Sequence, residues 1–123
     1  MSHEHNATKE RFFAHERLEA YAVARKAVQF VTARRGKLRG LPGEAGAQLQ
    51  RAVVGAHTNL CSGAAHFGAE AQRHFRIAFS EASEAGGAVD LALDLGAFTE
   101  AEHAELRQLL LRLGAMLRGL ARC

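Results

Sequence analysis

The chain has 123 residues and a mass of 13.3 kDa, which is one domain's worth of sequence. Hydrophobic residues make up 48% and charged residues 24%, a globular balance, and no apolar run approaches the roughly 18–20 residues of a membrane span. The net charge of +3 hides strong zoning: residues 25–51 hold seven Lys and Arg against Glu44 alone, residues 52–105 hold eight acids against Arg73 and Arg76, and residues 106–123 hold four arginines and no acid. Abundant alanine, one proline, no tryptophan and few β-branched residues argue against an all-β fold and toward helices.

Residues 1–9 read as a frayed tail and residues 10–123 as one helical domain. The first helix is expected from about Glu10 to Arg34. Leu18, Tyr21, Val28 and Val31 recur there near helical spacing, beside Ala20, Ala24 and Ala27. It ends in the run Arg35 to Gly43, whose three glycines and lone proline make the clearest break in the chain. A second helix is expected from about Glu44 to Ser62, where Leu49, Val53, Ala56, Leu60 and Gly63 follow a 4-3-4-3 seam.

The third helix is expected from about Ala69 to Leu95, with Ala71, Phe75, Ala78, Ala82, Ala85, Val89 and Ala92 on one seam. Gly86-Gly87 inside it costs about 1 kcal/mol per glycine relative to alanine, a cost that a kink or a close backbone contact would explain. Gly96 is the expected left-handed cap. Thr99 and Glu102 have the spacing of a capping box for a fourth helix, whose apolar stripe is Leu106, Leu109, Leu110, Leu113, Leu117 and Leu120. Short connections make neighbouring helices antiparallel, so the expected fold is all-α, an antiparallel up-and-down four-helix bundle.

Catalytic constellations are sparse. Glu100 and His103 form the one Glu-x-x-His pair, where a di-metal bundle needs two, and acids are expected in a first helical turn anyway. His66, Glu70 and His74 share a spacing that suits zinc, but Gly68 interrupts the helix between them and exposed polar residues give the same pattern. His57 and Cys61 stand at i, i+4, the spacing of an activated thiolate, although Cys61 beside an apolar seam reads first as a packing residue. No Gly-x-Ser-x-Gly, phosphate loop or dinucleotide fingerprint occurs. No catalytic residue, cofactor or metal is therefore expected. The start Met1-Ser2-His3-Glu4-His5 lacks a signal-peptide pattern and Cys61 and Cys123 make no CxxC, so both thiols are expected to be reduced, in a cytoplasmic protein.

The binding candidate is the basic cluster Arg34, Arg35, Lys37 and Arg39, because Lys and Arg neutralise phosphates and a flexible loop adapts to folded RNA. Arg73 and Arg76 are weaker candidates. A solvated basic loop explains the same residues equally well, and no aromatic for base stacking lies among them.

The stretch Gln48-Leu49-Gln50-Arg51-Ala52, continuing through Asn59 to Gly63, resembles the family of 23S rRNA intervening-sequence proteins, whose pattern runs Gln-Leu-Arg-Arg-Ala, then Ser-Ile, then Asn-Ile-Ala-Glu-Gly. Gln48, Leu49, Arg51, Ala52, Asn59 and Gly63 match it; Gln50, Gly55 and Ser62 stand where the family has arginine, serine and glutamate. Phe75, Ile77, Ala78 and Glu84 fit the family's third helix, Leu95-Gly96 fits its end, and Leu18 to Val31 resembles its first. The resemblance spans about Phe12 to Leu120. It implies a four-helix bundle, often a homopentamer, without known enzymatic activity and with an RNA-related role. Related bundles are accessory variability determinants of retroelements that diversify genes, and these bind RNA and a reverse transcriptase. The expected partners are thus RNA, further copies of the chain, and alternatively a protein such as a reverse transcriptase, with no membrane. Within the matched helix, Arg51 either contacts phosphate or pairs with Glu81 or Glu84. Asn59 is expected to be a register-fixing hydrogen-bonding residue, and Gly55 and Gly63 are expected to be packing points.

Overall fold

A computed structural model describes residues 12–122. The expected tail over residues 1–9, the expected helix start at Glu10 and the thiol of Cys123 lie outside those residues. Every regular element among the described residues is helical. Four long helices dominate: α1 (Glu19–Ala33), α3 (Ala45–Ala65), α4 (Gly68–Asp94) and α5 (Glu100–Ala121). A single turn, α2 (Arg35–Leu38), follows α1, and short 3-10 turns cover Ala14–Arg17 and Pro42–Glu44.

The first helix starts later than its sequence pattern suggests. The Phe13 N–H donates to the Glu16 carboxylate at 3.4 Å and closes a separate turn, and Leu18 is extended at ψ 129°, so α1 begins only at Glu19. At the other end, the basic segment expected to be a flexible loop is partly helical. Leu38 is buried and pins α2 against α3, where it sits over Gly46.

Apolar spacing explains most of the packing. All the expected seam residues of α3 and α4 are buried, as are Leu106, Leu110, Leu113 and Leu117 of α5. In α1 the buried face is rotated from the expected stripe. Val23 and Phe30 go inside, whereas Tyr21 and Val28 are only half-buried. Phe30 is drawn in by Phe98, whose ring meets it edge-on at 6.1 Å. α1 packs mainly on α3 and α5, and α4 packs on the same two helices.

The helix ends follow local chemistry. Gly96 takes the left-handed conformation (φ +81°) and ends α4. Thr99 caps α5: its hydroxyl accepts from Glu102 N–H at 3.1 Å, and the Glu102 carboxylate accepts from Thr99 N–H at 2.9 Å. No helix of the described residues is long and apolar enough to cross a membrane.

Candidate functional site

The four cations of the basic segment do not share one environment. Arg34 and Lys37 stand three residues apart, one helical turn, and face the start of α5. Arg34 Nε donates to Glu102 at 2.9 Å, Lys37 Nζ reaches both Glu102 oxygens at 2.7 and 2.9 Å, and the Arg34 guanidinium lies 3.6 Å from the centre of the Phe30 ring. Glu102 is 15% exposed. The Lys37 ammonium, then the Thr99 N–H and the Arg34 guanidinium, hold its carboxyl down at about 2, against a smaller opposing effect of burial. Two of the four expected phosphate contacts are thereby engaged inside the molecule.

Arg35 and Arg39 are turned away from this clamp. Arg35 donates to the Thr32 carbonyl at 2.9 Å and stays exposed; Arg39 is exposed and has no ion pair among the described residues. Two cations not singled out from sequence join them. Arg25 and Lys26 are exposed on the outer face of α1, Arg25 over the Tyr21 ring at 5.9 Å, and neither meets a carboxylate among the described residues. Their signal was the polar side of the α1 periodicity, which a search centred on the glycine-rich break passes over. Arg73 is paired with Glu70 at 3.2 Å, and Arg76 is exposed on α4.

Gln48 and Arg51 of α3 do come together with Glu81 and Glu84 of α4, lining a groove of about 510 Å³. Even so, Arg51 forms no ion pair with either glutamate; it is exposed, and the acids turn to each other. Burial first, then the hydrogen bond that protonated Glu81 donates to Glu84 and the charge of Glu84, raise the Glu81 carboxyl above its ordinary value. Glu81 is drawn there by Gly55, where an added Cβ would lie 2.0 Å from the Glu81 carboxylate. The expected Arg51 pairing is lost because Glu81 fills the space over Gly55 instead of reaching out.

Asn59 does link two helices. Its amide donates to the Gly55 carbonyl at 3.0 Å, which leaves its oxygen 3.2 Å from His74 Nδ1. Gly63 lets α4 approach: a Cβ there would lie 2.6 Å from the Phe75 ring. His66 stacks on His74 at 5.1 Å, and His74 also reaches Glu70 at 3.3 Å. Among the described residues no group of three or more His, Cys, Asp or Glu is arranged to hold a metal ion. Burial raises the Cys61 thiol and lowers His57, with His15 and Arg25 adding to the latter, the opposite of what an activated thiolate needs.

A groove of about 670 Å³ lies between α4 and α5, and no expected site residue lines it. Gly86, Gly87 and Gly114 line its walls, and Arg107, Arg118 and Arg122 are its cations. The expected explanations for Gly86-Gly87 do not apply inside the chain, since α4 runs unbroken through both and a Cβ on either would meet nothing within 4 Å. Each still costs about 1 kcal/mol of helix propensity. The signal in the sequence is that unexplained cost, together with the arginines of α5, whose placement toward the helix C-terminus also suits the helix dipole.

Comparison with known proteins identifies no family model that matches this chain, and no curated protein matches it.

Proposed function

We propose that this protein is a non-enzymatic nucleic-acid-binding or scaffold protein, with RNA as its preferred ligand, of the kind the resemblance to intervening-sequence proteins implies. The observation that carries this reading is a set of exposed cations that form no ion pair among the described residues: Arg25 and Lys26 on α1, then Arg35 and Arg39 beyond its end. They lie in the segment with seven cations and one acid, and phosphates are bound by such unneutralised side chains. Arg34 and Lys37 then serve to fix the end of α1 and contribute little to binding. In this reading the four long helices form an antiparallel up-and-down bundle, supported by the pairing of α1 and α4 with the same two neighbours and by the two-residue link between α3 and α4. The bundle acts as a homo-oligomer, a pentamer by the resemblance, which multiplies the basic surface.

The test measures binding to a structured RNA and to duplex DNA of matched length at two salt concentrations, with the oligomer mass recorded in the same buffer. RNA is bound more tightly than DNA, and affinity falls steeply with salt. Replacing Arg25, Lys26, Arg35 and Arg39 by alanine makes the salt slope on the duplex DNA shallower by about 3.6, given about 0.9 per phosphate contact, and flattens the slope on the RNA in the same direction. Replacing Arg34 and Lys37 changes it far less. Absence of binding to either nucleic acid at low salt sinks the reading.

A second reading, a protein-interaction accessory subunit such as one docking on a reverse transcriptase, is favoured by apolar surface left open on α4 and α5. Leu91, Leu95 and Leu111 are all exposed there.

A further inference from the structure

The groove between α4 and α5 has a middle, walls and ends of different chemistry. Its apolar middle is formed by Leu110, which is buried, and Leu111, which is 58% exposed. Its walls are cut back on both sides, at Gly86 and Gly87 on α4 and at Gly114 on α5, where a Cβ would meet only the edge of Phe79 at 3.8 Å. None of these glycines has a positive φ, so the backbone does not require them. Packing inside the chain does not require them either, because the space beside them is open.

The ends are positive. Arg107 stands at one end and Arg118 and Arg122 at the other, about 17 and 22 Å away along α5 at about 1.5 Å per residue. The one acid lining the groove, Asp90, is engaged by His103 at 2.7 Å. An apolar trough of four helical turns with cations at both ends is not complementary to a single-headed amphiphile, which would satisfy one end only. It is not complementary to the same groove of a second copy, which would bring arginine to arginine. A nucleic-acid backbone would leave the leucines unmet.

We propose that the α4–α5 groove is a docking site for one amphipathic helix of a partner protein, about four turns long, with leucine-like side chains along one stripe and Asp or Glu near both ends. The stripe of the incoming helix lies on Leu110 and Leu111, the three glycines let its backbone come close, and its acids pair with Arg107, Arg118 and Arg122. This is the helix-in-groove mode of recognition, with the ends setting orientation. It is independent of the nucleic-acid reading, since it uses none of Arg25, Lys26, Arg35 and Arg39.

The probe is a synthetic 16-residue helical peptide with leucines at i, i+4, i+7 and i+11 and glutamates at both ends, with a second peptide carrying lysines in their place. Binding to the full chain is followed by fluorescence anisotropy and mapped by amide chemical shifts, with the oligomer mass measured alongside. The acidic peptide binds at least tenfold more tightly than the lysine peptide and perturbs residues of α4 and α5. Gly86→Leu, which fills open space and leaves the helical circular dichroism intact, abolishes binding. R107E with R118E weakens it at least tenfold, whereas R35A with R39A does not change it. Equal binding of the two peptides, shifts mapping to another face, or indifference to Gly86→Leu overturns the proposal. So does conversion of an oligomer to a monomer by Gly86→Leu, which assigns the groove to a second copy, or displacement of the peptide by single-stranded RNA from a groove that R107E with R118E then closes to RNA.

Discussion

Helix α4 uses glycine in opposite ways on its two sides. Toward α3, two glycines of the facing helix are filled by α4 side chains: the Phe75 ring lies over Gly63 and the Glu81 carboxylate over Gly55. Toward α5, Gly86 of α4 faces open space, and so does Gly87, which also borders the groove toward α3. The first kind of glycine is explained by the fold, because the helices could not approach otherwise. The second kind weakens the helix without a return inside the chain, which is why the α4–α5 side reads as a surface built for something else. A small residue in a helix therefore says nothing until its neighbours are known.

Substitution separates the two sides by sign. Gly63→Ala has the largest expected effect, a loss of about 1–3 kcal/mol in denaturant unfolding, because the buried Phe75 ring cannot swing away. Adding F75L to it recovers part of the loss; an unrecovered loss would place the strain elsewhere. Gly86→Ala and Gly87→Ala move stability the other way, each by about 0.5–1 kcal/mol, seen as a rise in Tm. A loss at either would mean that the groove wall is tighter than its open space indicates. Gly55→Ala falls between, close to neutral, because the Glu81 carboxylate is the far end of a flexible chain and can move aside.

Two glutamates extend the same contrast to pH. Glu102 is held at about 2 in the folded chain, below its ordinary 4.5, so its contribution is complete above about pH 4.5 and is lost as pH falls toward 2. Glu102→Gln flattens that acid limb in a stability-against-pH series. Glu81 is raised, so folding binds its proton more readily, and its cost appears as pH rises above the ordinary carboxylate range. Glu81→Gln gives the smallest effect: a slight gain in Tm at neutral pH that disappears near pH 4.

The parts of the fold governed by spacing were legible in the sequence. The seams of α3 and α4, the Gly96 stop and the Thr99–Glu102 cap depend on neighbours within one or two turns. The start and register of α1 were not legible. Its alanines allow two stripes, and the choice is made by Phe98, which is 68 residues from Phe30. The candidate interface failed to read for the same reason. Nothing near Arg34 and Lys37 in the sequence signals that Glu102 will take them, and without that partner all four cations of the cluster look alike. Arg51 shows the converse, since its acids are in reach but are occupied by Gly55 and by each other.

The clamp at Glu102 also orders events in time. During synthesis Arg34 and Lys37 emerge from the ribosome more than sixty residues ahead of the carboxylate that will hold them. α1, α3 and α4 are all synthesised before that carboxylate exists, so the junction of α1 with α5 is sealed only after those three helices have been made. Until α5 arrives, the end of α1 presents its full positive charge to its surroundings, and the finished molecule shows less of it than the nascent one.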